Sequence, residues 1–164
     1  AIHATEQPVL DALDRLGIPY VRHEHPPVAT VDEAEKYWTN IHGTHCKNLF
    51  LRNKKGNHHY LVIAPAAKPV DLRRLNERLG EDRLSFASPE RLRRCLGLEA
   101  GSVSPFGLIN DSAKAVEVVV DEELFGAAGL GFHPNVNTAT LEISAVDFAR
   151  FLAWCGNNVM RLEL

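Results

Sequence analysis

The sequence predicts a single domain of mixed α/β (α+β) class, and three observations carry that reading. Apolar residues recur at helical spacing in some segments and at every second residue in others, so helices and strands interleave along the chain. No linker, internal repeat or low-complexity run divides the 164 residues. Their 45% hydrophobic content suits one core and excludes a disordered chain. No apolar run approaches the ~18 residues of a membrane span, and the N-terminus lacks the basic-then-apolar order of a secretion signal. A cytoplasmic protein without a membrane partner is expected.

Val9, Leu10, Leu13 and Leu16 follow Thr5 at helical spacing and Gly17 ends them, which predicts a helix over 5–16. Pro19 to His25 alternates like a half-buried strand and stops at Pro26-Pro27. Thr30 and Glu33 have the spacing of a capping box, so a helix is expected over about 31–37. Segments 46–52 and 58–64 flank the polar turn Asn53-Lys54-Lys55-Gly56-Asn57, the pattern of a β-hairpin. Asp71 caps a helix carrying Leu72, Leu75 and Leu79 and closed by Gly80; Ser88-Pro89-Glu90 opens a shorter one carrying Leu92 and Leu96. Between them Arg83–Phe86 reads as a short strand. Ala115–Val120 is nearly continuous in β-branched residues, the mark of a strand buried on both faces, in which Glu117 needs an edge or a partner. Thr138–Ile143 is a further strand, and Ser144 and Asp147 open a last helix with Val146, Phe148, Phe151 and Leu152. The Asn158–Leu164 segment ends the chain. About six or seven strands and about five helices are expected.

The net charge of −3 excludes a protein that coats nucleic acid by bulk charge, leaving only a local basic patch. Cys46, Cys95 and Cys155 lack CxxC spacing and read as free thiols. Eight histidines raise the question of a metal, with His23/His25 and His42/His45/Cys46 as the nearest groupings. Neither has the spacing of a zinc site, so no metal and no cofactor is expected.

Three places carry residues that their elements do not require. Lys47 interrupts the apolar strand 46–51, which suits a lysine aimed into a polar cleft or one on a solvated face. Gly101-Ser102-Val103-Ser104-Pro105-Phe106-Gly107 is a rigid bend that can turn several backbone N–H groups into one concavity for a carbonyl oxygen or carboxylate. An ordinary tight connection explains it equally. His133 stands between Gly131-Phe132 and Pro134-Asn135 at a strand entrance, placed to position a ligand or water, or simply on the surface.

Read in order, His25-Pro26-Pro27-Val28-Ala29-Thr30 with Glu33-Ala34, Lys47-Asn48-Leu49, Gly101-x-x-Ser104-Pro105-x-Gly107 and Gly131-x-His133-Pro134-Asn135 resemble the YbaK/ProX aminoacyl-tRNA editing superfamily. The resemblance covers about residues 5–160. The stretch Thr44–Leu51 with the Lys54-Lys55-Gly56 turn most resembles the free-standing ProX branch. Asn48 departs from the YbaK branch, which usually has threonine there, and argues against a cysteinyl-tRNA substrate.

The resemblance implies a mixed, barrel-like sheet surrounded by helices and a hydrolase that clears mischarged alanine from proline tRNA. It implies Lys47, Gly101 and His133 as the catalytic set. Thr30, Val31, Asn48, Ser104, Pro105, Phe106, Gly107 and Asn135 would bind substrate, with Val31 and Phe106 as pocket walls. The implied partners are the aminoacylated acceptor end of tRNA and, transiently, a synthetase; a monomer or weak dimer is expected. Two other classes stay open at the level of residues. One is a non-catalytic binder of tRNA ends, using arginines such as Arg73, Arg74, Arg78, Arg91, Arg93 and Arg94, although helical arginines usually form a solvated face. The other is a general esterase of small molecules.

Overall fold

The computed structural model describes residues 2–27 and 43–164. The chain runs through α1 (Gln7–Leu16), β1 (Val21–Glu24), β2 (Thr44–Asn53), β3 (His59–Pro65), α2 (Leu72–Leu79), β4 (Leu84–Phe86) and α3 (Pro89–Leu96). A 3-10 helix (Pro105–Asn110), β5 (Val116–Asp121), a second 3-10 helix (Glu122–Gly126), β6 (Gly129–Phe132), β7 (Ala139–Ser144), α4 (Ala145–Cys155) and β8 (Val159–Leu162) follow. The expected helix over 31–37, with Thr30, Val31 and Glu33, lies outside the described residues.

The strands form one mixed sheet in the order β1-β7-β6-β2-β3-β5-β8, with β4 added to the far end of β2. Among the described residues the sheet is open, β1 and β8 each having one neighbour, so the barrel-like expectation is corrected to an open mixed sheet. Closure requires the end strands to pair, and here each end strand has a single ladder, β1 on β7 and β8 on β5. Two strands went unread in the sequence. β6, Gly-Leu-Gly-Phe, is too glycine-rich to show a strand pattern, and β8 sits in the terminal segment that carried no assignment.

The sheet has an apolar cluster on each face. Leu61, Ile63, Val116, Val118, Val120, Leu130 and Leu141 join α1, α3, α4 and the first 3-10 helix in the larger one. Leu51, Tyr60, Val62 and Val119 meet Leu75 of α2 in the smaller. β5 feeds both clusters, which is why its sequence is a continuous apolar run. Its one acidic residue, Glu117, is half-buried and accepts from Asn158 Nδ2 at 3.3 Å. At the opposite edge, buried Glu6 takes Arg22 Nε at 2.6 Å and so fastens the start of α1 to β1. Among the described residues, no helix is long and apolar enough to cross a membrane.

The hairpin owes its shape to Asn53. Its buried Oδ1 accepts from the amides of Asn57 and His58, each at 3.1 Å, and its Nδ2 donates to Asn57 Oδ1 at 2.7 Å. Gly56 closes the turn at φ +74°, a conformation that costs glycine little.

Candidate active site

The parallel register of β2 on β6 brings two of the sequence candidates together. Thr44 pairs with Leu130 and His45 with Gly131. Two residues further along, Lys47 comes level with His133, where β6 has ended and its loop begins. Alternation sets the faces. Cys46 and Phe50 pack in the larger cluster and Leu49 and Leu51 in the smaller, so Lys47 takes the Leu49 side and Asn48 the Cys46 side. Leu130 and Phe132 likewise fill the larger cluster, which leaves His133 on the same face as Lys47.

Lys47 is half-buried and has no carboxylate partner among the described residues. Desolvation lowers its ammonium pKa from the ordinary 10.5. An unpaired, partly dehydrated cation at a strand end attracts an anion or an electron-rich oxygen. Cys46, on the opposite face, is no nucleophile: burial pushes its thiol up to about 12, well above the range in which a thiolate forms.

His133 Nδ1 donates to the Ala139 carbonyl at 2.8 Å, which leaves Nε2 as the ring's acceptor. Burial lowers its pKa from the ordinary 6.5; the Ala139 carbonyl works against that, and the neighbouring His25 adds a smaller lowering. The ring is therefore neutral at neutral pH. His25, whose ring centroid lies 6.0 Å from that of His133, is anchored in the same way. Its Nδ1 donates to Pro26 O and its Nε2 accepts from Thr140 Oγ1, both at 2.9 Å. These two neighbours were not among the sequence candidates for the site. Only the pairing of β1 on β7, with His23 opposite Thr140, brings them there, and no local pattern encodes it.

The Gly101–Gly107 segment is a loop only in its first half, since Pro105 opens the 3-10 helix. Ser104 caps that helix, its Oγ accepting from Phe106 N at 3.1 Å while its carbonyl accepts from Gly107 N at 3.1 Å. Ser102 N donates to Glu99 O, and Pro105 has no N–H. The amides of Gly101, Val103 and Ser104 have no partner among the described residues, so any concavity for a carbonyl oxygen falls to these three. Gly101 holds φ +88°, which favours glycine.

Gly107 answers to packing. A Cβ there would stand 2.6 Å from Leu98 Cδ1 and 3.2 Å from Leu96 Cβ, so its missing side chain admits the end of α3. The Phe106 ring is fully buried against Phe151 at 5.1 Å and Phe132 at 6.0 Å between centroids. What Phe106 offers outward is its carbonyl, which accepts from Asn135 Nδ2 at 3.4 Å. Asn135 sits at φ +64°, which asparagine tolerates, and so carries the loop from the His133 face to the Phe106 side.

Two buried acceptors in this region have no partner, Asn48 Oδ1 and Asn135 Oδ1. A buried amide oxygen left unpaired costs about 1–3 kcal/mol, and such groups are rare in folded proteins. Both belong to the sequence candidates. Thr30 and Val31 lie outside the described residues. Among the described residues no three His, Cys, Asp or Glu converge as metal ligands; His23 pairs instead with Glu142 at 2.6 Å.

The arrangement offers three free amides, one neutral imidazole with an open acceptor, one lone ammonium and two unpaired amide oxygens. Groups of this kind can orient a neutral or anionic polar ligand and stabilise an oxyanion. They do not include an activated nucleophile.

Comparison with known proteins gives the family of the chain. A family model described as an aminoacyl-tRNA editing domain matches residues 25–151. Prolyl-tRNA editing protein ProX of Acetoanaerobium sticklandii is 43% identical over 159 residues, which is 97% of each chain. Prolyl-tRNA synthetase associated domain-containing protein 1 of Danio rerio is 37% identical over 142 residues, covering 85% of this chain and 77% of its own. In fold, the chain is similar to the solved structure of a candidate trans-editing enzyme for prolyl tRNA synthetase. The TM-score is 0.74 at 24% identity, covering 100% of this chain and 99% of that one. With the family model spanning most of its length, the chain belongs to the aminoacyl-tRNA editing domain family.

Proposed function

We propose that the protein is an aminoacyl-tRNA deacylase that hydrolyses alanine from mischarged proline tRNA, acting in trans on the aminoacylated acceptor end. The observation that carries this reading is the 43% identity to a prolyl-tRNA editing protein over 97% of both chains. Alanine is smaller than proline, so a synthetase pocket built for proline cannot exclude it by shape. A few missing methylenes discriminate by only about 1–3 kcal/mol, and a second site that admits the smaller residue supplies the rest.

An aminoacyl ester is already activated, so positioning and oxyanion stabilisation suffice. Water adds to the ester carbonyl carbon, and the oxygen that becomes anionic is held by the amides of Gly101, Val103 and Ser104. Collapse breaks the bond to the ribose oxygen, which takes up a proton, and free alanine and tRNA leave. The open Nε2 of neutral His133 accepts from the substrate's ammonium, its vicinal ribose hydroxyl or the attacking water. Lys47 holds the terminal phosphate or ribose oxygens as a point charge. Asn48 and Asn135 take substrate donors on their unpaired oxygens. A synthetase contact would serve to hand over the mischarged tRNA.

The deciding experiment is deacylation of a panel of charged tRNAs by the purified protein. Rapid release of alanine from Ala-tRNA(Pro), with Pro-tRNA(Pro) spared, is expected. Protection of the ester would make the protein a binder, and turnover of simple alanyl esters at the same rate would make it a general esterase.

A further inference from the structure

Three imidazoles lie along β7, and each is bound to a different residue of that strand. His23 Nε2 meets Glu142 Oε1 at 2.6 Å, His25 Nε2 meets Thr140 Oγ1 at 2.9 Å, and His133 Nδ1 meets the Ala139 carbonyl at 2.8 Å. The backbone joins in, since His25 N donates to Thr138 O at 3.0 Å. Ala139 and Thr140 are chain neighbours, so one dipeptide holds the rings of both His133 and His25. Thr140 is buried, and its hydroxyl therefore needs a partner, whereas the strand itself asks only for a β-branched side chain.

The chemistry of the partners places the hydrogens. Pro26 O can only accept, so Nδ1 of His25 carries the hydrogen; in the neutral ring Nε2 is then the acceptor, and Thr140 donates to it. Both nitrogens of His25 are thereby committed. His133 differs, because Ala139 O takes its Nδ1 hydrogen and Nε2 stays open. The two rings stand close, with centroids 6.0 Å apart and planes tilted by 60°. An N–H···N bond of ~2.9 Å between two imidazoles sets their centroids about 5 Å apart, so a small turn of His25 would reach His133. Such a pair would consume the open acceptor.

We propose that Thr140 is a positioning residue for the deacylation: its hydroxyl occupies the second nitrogen of His25, which keeps that ring from pairing with His133 and leaves Nε2 of His133 to the substrate. The inference rests on the deacylase reading above, to which it adds a residue that touches no substrate. Thr140 acts through His25 alone. Removing its hydroxyl releases Nε2 of His25, and the nearest imidazole acceptor is then the one the proposed hydrolysis uses.

The test uses the whole protein and two readouts, one of which needs no catalysis. Long-range proton–nitrogen correlation spectra of the histidine rings, recorded at neutral pH, report which nitrogen of each ring carries hydrogen. Wild type should show Nδ1–H and a bare Nε2 for both His25 and His133. In Thr140→Val, His25 should populate the Nε2–H form and the Nε2 signal of His133 should move in the direction of an accepted hydrogen bond; Thr140→Ser should restore both. Thr140→Ala removes the same hydroxyl without the second methyl and should give the same ring pattern as valine. In single turnover on Ala-tRNA(Pro), Thr140→Val should lose about tenfold in rate and Thr140→Ser should recover it. In a His25→Ala background, where no ring is left to pair with His133, adding Thr140→Val should cost nothing further. Unchanged ring signals in both Thr140→Val and Thr140→Ala, or an equal loss of rate from Thr140→Val with and without His25, would overturn the positioning role. The expected ring pattern in a wild-type protein that releases no amino acid from any charged tRNA would overturn the deacylase reading alone.

Discussion

Strand β2 carries two buried asparagine oxygens, one in mid-strand and one at its end, and they live under opposite conditions. Asn53 Oδ1 accepts two backbone amides of the hairpin turn, and its Nδ2 reaches Asn57 and Glu81. Asn48, five residues earlier, has a buried Oδ1 with no partner. Their neighbours follow suit: the Asn53 end is closed by its own hydrogen bonds, whereas next to Asn48 stands Lys47, with no carboxylate partner among the described residues, and, across the parallel register, His133 with an open acceptor. Asn53 is satisfied by the turn that it organises, whereas the unpaired oxygen of Asn48 costs the fold stability and is open to the proposed substrate.

The largest effect that would sharpen this contrast is on catalysis. Lys47→Ala should slow single-turnover deacylation of Ala-tRNA(Pro) by about 100-fold or more with an unchanged melting temperature, if the lysine holds substrate as proposed, because it has no carboxylate partner among the described residues. A near-normal rate would remove Lys47 from the site. Next come the two asparagines themselves. Asn53→Ala should cost about 2–3 kcal/mol in denaturant unfolding, because two turn amides lose their acceptor, while activity per folded molecule stays. Asn48→Ala should do the reverse, losing activity about tenfold at a stability cost within about 1 kcal/mol. If Asn48→Ala proved the more destabilising, the comparison would break.

Gly107→Ala should cost about 1–3 kcal/mol by overpacking against Leu98, with activity falling only as the folded fraction falls. The smallest effect is on pH. His133 is held neutral, with a folded pKa below the ordinary 6.5. The unfolded chain therefore binds the proton first as pH falls, so stability is lost on acidification from about 6.5 downwards and is unaffected above it. The acid limb of kcat/KM should likewise fall below 6.5 and move in His133→Gln. A limb above 6.5 would mean that a different group titrates.

Much of this was open to reading from the chain. Capping residues marked α2, α3 and α4 to within a residue or so, because Asp71, Ser88 and Ser144 act on amides two or three positions away. The hairpin was equally plain. β6 was not, since two glycines in four residues leave no alternation, and its strand character comes from neighbours on both sides. Within the site, Lys47 and His133 stood out as residues their elements did not need. Thr140 did not, because it looks ordinary until β1 lies beside β7, and His25, although it opens the motif run, was not placed in the site. Gly107 looked like a place for a ligand to approach, whereas its missing side chain makes room for Leu98.

The sequence by itself determined the local elements, the free thiols, the motif order and, through the resemblance these carry, the editing chemistry. Each of those depends on residues close together in the chain or on their order along it. The tertiary structure decided that the sheet is open, that Lys47 and His133 share a face while Asn48 takes the other, which loop amides remain free, and that Thr140 comes beside His25. Those depend on strand register and on packing between distant segments, and a shift of one residue in either would reverse every face.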